Sequence, residues 1–138
     1  MTSSQMIVEC LPKFPSLKMA YIAAHSDEAL LSSVEHHLSP LSGSVRIFEM
    51  GENMRLGTRE YEVLIWDAPT YSALQLKTIF RALENSGLFL LRVGSAQENI
   101  SQAKALLEEV GFVAINATSL DDALLLSAKK MHGWSHGQ

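Results

Sequence analysis

Hydrophobic and polar positions along the chain switch between two periods, most clearly between Tyr61 and Val93. Tyr61-Glu62-Val63-Leu64-Ile65-Trp66-Asp67 is a mostly apolar run, ended by an acidic residue and then Pro69. From Ser72 to Ser86 the apolar residues Leu76, Ile79, Phe80 and Leu83 recur at the i, i+3, i+4, i+7 spacing of one helical face. Gly87 is expected to stop that helix, and Leu88-Phe89-Leu90-Leu91-Arg92-Val93 is a second apolar run. Strands apolar throughout are covered on both faces, and a helical crossover makes such a pair parallel. This stretch predicts strand, helix, strand.

The rest of the chain hangs on that unit. Ile7 to Leu11 is expected as a short strand, since Pro12 and Pro15 forbid a continuous helix there. Lys18 to Ala24 reads as a first central strand. A helix follows, with Ser26 as N-cap, Asp27 and Glu28 in its first turn, and Leu30, Leu31, Val34 and Leu38 on its buried face. His36 and His37 fall in its last turn before Pro40; adjacent side chains diverge on a helix, so they read as a solvated end, not a chelate. Ser44 to Met50 reads as a strand, and Gly51 to Glu60 as a connection.

Beyond Val93, Ser95 to Glu98 has capping-box spacing, and Ile100, Ala103, Leu106, Leu107 and Val110 form a helical stripe closed by Gly111. Phe112 to Ala117 and Ala123 to Lys129 read as two strands around the turn Thr118 to Asp122. The fold expected is an open, Rossmann-like, mostly parallel α/β sheet with helices on both faces and a C-terminal antiparallel hairpin. Residues 1–130 are expected to make one domain, and 131–138 a flexible tail.

Composition narrows the function classes. Of 138 residues 47% are hydrophobic and 19% charged, which is globular and not disordered. Net charge is −4 with no run of Lys or Arg, so a nucleic-acid partner is not expected. No apolar stretch approaches the ~20 residues of a membrane span, and the N-terminus lacks a signal-peptide pattern. Cys10 is the only cysteine, which rules out internal disulfides and cysteine metal sites. It reads as a small packed residue in a cytoplasmic protein.

The candidate chemistry gathers at strand ends. Glu49 closes the second strand, where a carboxylate can meet ribose hydroxyls, or simply face water. Asp67 can contact a ligand at the sheet edge or cap the turn at Ala68-Pro69-Thr70. Trp66 and Tyr71 flank that edge and read as core aromatics more than as a stacking platform. His132 and His136 are four apart, but Gly133 between them argues against a chelating helix, and no metal is expected. No catalytic triad can be assembled.

These elements resemble a class I S-adenosylmethionine-dependent methyltransferase, most closely from Tyr61 to Lys129. Glu62 to Pro69 resembles the family's fourth strand with its acidic end, and Ala82 to Leu91 its helix, glycine and fifth strand. Leu106 to Phe112, with Val113 to Lys129, resembles the closing helix and hairpin. The chain departs at the first strand, where the family has a glycine-rich cofactor loop. Here Ala23-Ala24-His25-Ser26-Asp27 stands in its place, no glycine precedes Gly43, and His25 puts an imidazole where the cofactor's amino-acid end would lie. The segment from Gly51 to Tyr61 is too short for the family's third strand and its helix.

A reduced domain of this kind is similar to the N-terminal domain of the anamorsin family, which is regarded as lacking methyltransferase activity. With one cysteine in the chain, that similarity implies no iron–sulfur chemistry. The resemblance implies a pocket at Ala24, His25, Glu49 and Asp67. The function expected is a non-catalytic interaction or scaffold domain, without cofactor, for an unknown protein partner or for itself. One alternative is an enzyme that binds S-adenosylmethionine or a nucleotide through the altered loop. A second is a receiver-like signalling domain with Asp67 as phospho-acceptor, Ser95 as its hydroxyl residue and Asp27 and Glu28 as the acidic pair. A receiver would make Leu120 to Lys130 a helix; the unbroken Ala123 to Leu126 run favours a strand.

Overall fold

The computed structural model describes residues 1–50, 55–93 and 100–131. The chain runs α1 (Ser3–Cys10), β1 (Lys18–Ala23), α2 (Glu28–Leu38), a 3-10 turn (Ser39–Leu41), β2 (Ser44–Glu49), β3 (Tyr61–Asp67), α3 (Ala73–Ala82), β4 (Leu83–Val93), α4 (Ile100–Val110), β5 (Phe112–Ser119) and β6 (Leu124–Lys130). The six strands form one sheet in the order β2-β1-β3-β4-β6-β5. The first four are mutually parallel, while β6 runs antiparallel to both β4 and β5. The expected parallel sheet with a closing hairpin is what the chain forms.

Strand alternation assigns the two faces. Ala20 and Ile22 of β1, Leu64 and Trp66 of β3, and Phe89 and Leu91 of β4 pack with Leu76 and Ile79 of α3 and Leu107 of α4. Met19, Tyr21, Val63, Ile65 and Leu90 point the other way, against Ile7 of α1 and Leu30, Leu31 and Val34 of α2. Each fully buried aliphatic side chain here contributes about 1.5–3 kcal/mol, and helices cover both faces. Trp66 is wholly buried and donates its indole N–H to Thr70 O at 3.1 Å, so it belongs to the core.

Three local expectations are corrected. The N-terminal segment is a helix, not a strand: the Thr2 hydroxyl accepts from Gln5 N, the Gln5 Oε1 accepts from Thr2 N, and Pro12 lies beyond the helix end. The cap of α2 is Asp27, one residue later than expected, because its carboxylate reaches Leu30 N at 3.1 Å. The helix from Ser72 ends at Ala82, and Gly87 lies inside β4. Tyr61 pairs with Leu83 but Val63 pairs with Leu88, so β4 carries a wide bulge before the regular ladder resumes. Gly87 sits in that bulge, where an added Cβ would lie 2.7 Å from Glu84 O.

Gly111 does end α4, with φ +124° and its N–H on Leu107 O and Glu108 O. His37 is more than a solvated end, since its Nε2 lies 2.9 Å from Pro12 O and ties α2 to the segment after α1. The Ser95–Glu98 box and the histidines of the tail fall outside the described residues.

Candidate functional site

In open parallel sheets ligands sit outside the carboxyl ends of the strands, where neighbouring connections leave on opposite faces. Here that place is between β1 and β3. A cleft of about 490 Å³ lies there, lined by Ala24, His25, Asp67, Pro69, Arg92 and Asp122 among others. Its floor is built by register. Ala23 pairs with Asp67 and Asp67 with Arg92, so the last two side chains emerge side by side on the α1/α2 face. Tyr21, two residues before Ala23, emerges on the same face.

These three side chains and Asp27 close on one another. Arg92 is 8% exposed. Its Nε donates to Asp67 Oδ1 at 2.9 Å, and its Nη2 to Asp67 Oδ2 at 2.6 Å and Asp27 Oδ2 at 2.8 Å. Its Nη1 donates to Ser3 Oγ at 3.0 Å and Ser4 Oγ at 2.9 Å, both from the start of α1. A guanidinium has five N–H donors, and every one is met within the protein. The Tyr21 hydroxyl donates to Asp67 Oδ2 at 2.5 Å and accepts from Asp27 N at 3.0 Å. Ser3 donates through its backbone N–H and its hydroxyl to the two oxygens of Asp122, at 2.8 and 2.7 Å.

The electrostatics follow from these contacts. Burial opposes the Arg92 cation, but its bonds to Asp67 and Asp27 outweigh that and raise its pKa further. Burial also raises the Tyr21 pKa well above the usual phenol value, reinforced by its bond to Asp67. For Asp27, burial pushes upward but is overcome by the Leu30 N–H, Arg92 and Ser4, leaving its pKa below the ordinary carboxylate value. The Ser3 hydroxyl lowers that of Asp122 in the same sense.

Of the residues singled out from sequence, Ala24, His25 and Asp67 come together at the cleft, with Ala24 and His25 exposed on it. Glu49 is exposed at the end of β2, beside Ala23. Asp67 lines the cleft without capping the following turn, its Oδ1 accepting from Arg92 and its Oδ2 from both Arg92 and Tyr21. Tyr71 is half-buried against the core. Sequence reading missed Arg92, Tyr21, Ser3 and Asp122. The available signal was Arg92 itself, a lone cation inside an apolar strand, which demands carboxylate partners nearby. Among the described residues no group of three metal-ligating side chains occurs.

No protein-family model matches the sequence, and no curated protein matches it significantly. Solved structures do. An S-adenosylmethionine-dependent O-methyltransferase from Thermotoga maritima superposes with TM-score 0.74 at 12% identity, covering 94% of this chain and 64% of that one. An Aquifex aeolicus S-adenosylmethionine-dependent methyltransferase superposes with TM-score 0.74 at 8% identity, covering 93% and 89%. The CurJ carbon methyltransferase gives 0.70 at 13%, covering 91% of this chain and 51% of that one.

The chain has the methyltransferase fold.

At such identities the likeness is one of fold, and the chain spans about half of CurJ and under two-thirds of the Thermotoga enzyme. The antiparallel β6 is part of that fold, and it overturns the receiver alternative, which requires a helix there. At the place where the fold implies a cofactor, the residues differ from a glycine-rich pattern. The loop after β1 offers Ala24 and His25 where close backbone approach needs glycine. The polar groups of the cleft floor are already paired with one another.

Proposed function

We propose that this methyltransferase-like domain is non-catalytic and acts in the cytoplasm as an interaction or scaffold domain, for a protein partner or a second copy of itself. One observation carries the reading: Arg92 and Asp67, at the place where a ligand would meet polar groups, have all their strong hydrogen bonds inside the protein. A ligand there would have to break charge-assisted bonds before making its own, each worth about 1.5–3 kcal/mol. The missing glycine loop supports the same reading, as does the similarity to the anamorsin domain. The charge of −4, and no helix among the described residues long and apolar enough to cross a membrane, support neither nucleic acid nor membrane as partner.

The second reading is an enzyme that binds S-adenosylmethionine or a related nucleotide through the altered loop. It is favoured by the open cleft of about 490 Å³ with His25 at its rim. Calorimetric titration with S-adenosylmethionine and S-adenosylhomocysteine separates the two. The scaffold reading expects no heat of binding up to millimolar ligand. Micromolar binding, about −8 kcal/mol, contradicts the scaffold reading and favours the cofactor-binding one instead.

A further inference from the structure

The first turn of α1 is held by groups that also form the cleft wall. Ser3 offers its N–H and hydroxyl to Asp122, and the hydroxyl oxygens of Ser3 and Ser4 receive both N–H groups of Arg92 Nη1. Arg92 and Asp122 both line the cleft. Apart from this clasp, Ile7 and, just past the helix, Leu11 are buried, while Met6, Val8 and Cys10 pack half-buried against the same cluster. The helix has eight residues and is closed by its own Thr2–Gln5 capping box. Segments with so few buried contacts open below the free energy of global unfolding.

We propose that α1 is a detachable strap whose docking sets the chemical state of the cleft. Docked, Ser3 and Ser4 occupy Arg92 Nη1 and Ser3 occupies the Asp122 carboxylate. Undocked, Arg92 stays paired with Asp67 and Asp27 through Nε and Nη2. Its two Nη1 donors and the carboxylate of Asp122 then stand free at the cleft wall. The same step takes Ile7 and Leu11 out of the apolar cluster they share with Leu90 and Leu125. The cleft and the N-terminal segment are thereby linked: what favours release of one changes the polar groups offered by the other.

Amide hydrogen exchange on the whole chain tests this. The reporters are the helical amides Met6 to Cys10 of α1 and Val63 to Ile65 of β3. The strap is expected to exchange faster than β3 in the native chain. Asp122→Ala, at an exposed hairpin position, removes half of the clasp without touching the core; it is expected to accelerate α1 by about tenfold and leave β3 unchanged. Asp121→Ala removes only an exposed contact to the Met1 amine at 3.3 Å and should alter neither. Exchange of α1 at the β3 rate in all three proteins overturns the proposal. An Asp122→Ala effect spread equally over both segments overturns it as well, and so does an α1 rate that Asp122→Ala leaves unchanged.

Discussion

Asp67 and Arg92 are register partners on adjacent parallel strands, and their side chains meet through nitrogen–oxygen contacts of 2.9 and 2.6 Å. The pair lies at the carboxyl edge of the sheet, where this fold places its ligands. It joins β3 to β4 directly, and through Asp27, Tyr21, Ser3 and Ser4 it also joins β1, α2 and α1.

Removing the cation is the most damaging single change expected. Arg92→Met leaves Asp67 and Asp27 facing each other, with side chains 15% and 32% exposed. Breaking a buried pair from one side costs about 3–5 kcal/mol, and urea unfolding followed by circular dichroism should show that loss. Arg92→Met combined with Asp67→Leu should lose less than Arg92→Met alone, because no uncompensated charge remains at β3. A double variant less stable than the single one would contradict this.

Tyr21→Phe keeps the ring in the core but removes one donor to Asp67 and one acceptor for Asp27 N. The expected loss is about 1.5–3 kcal/mol, the range for hydrogen bonds to charged groups. An unchanged denaturation midpoint would show that the hydroxyl is not holding the network.

Acid should weaken the fold before it unfolds it. Asp27 and Asp122 have pKa values lowered in the folded chain, so between the folded and the ordinary value near 3.9 the unfolded chain binds more protons. The stability they contribute is complete above that ordinary value and is lost as pH falls through the folded one. Urea midpoints should be flat from about pH 7 to 5 and fall below about pH 4. In Asp122→Ala the acid fall should be shallower.

Gly111→Ala tests the backbone end of α4. With φ at +124° and an added Cβ 3.0 Å from the Phe80 ring, alanine is strained and crowded there. A cost of about 1–3 kcal/mol is expected from the strained backbone, read as a lowered thermal midpoint.

Much of the fold was legible because period reports burial directly. The apolar runs at β1, β3, β4 and β6 marked strands covered on both faces, and the stripes of α2, α3 and α4 marked helices. Failures came where a local signal competed with a longer one. Pro12 and Pro15 drew attention from the Thr2–Gln5 box that starts α1. Leu83 continues the stripe of α3, yet it pairs with Tyr61 and opens β4. The candidate site was half legible. Ala24, His25 and Asp67 were placed together by resemblance, but the partners of Asp67 come from β1 and β4, and through Arg92 the network reaches α1. Such contacts depend on register between strands, which no single stretch of sequence states. Arg92 alone announced them.

The Arg92 Nε–H resonance reports the central claim most directly, that the cleft floor is satisfied from within. In heteronuclear spectra with and without millimolar S-adenosylmethionine, the account predicts a sharp Arg92 signal, slow to exchange with water and unmoved by the cofactor. A signal that exchanges like an exposed arginine, or shifts in a saturable way as cofactor is added, would contradict it.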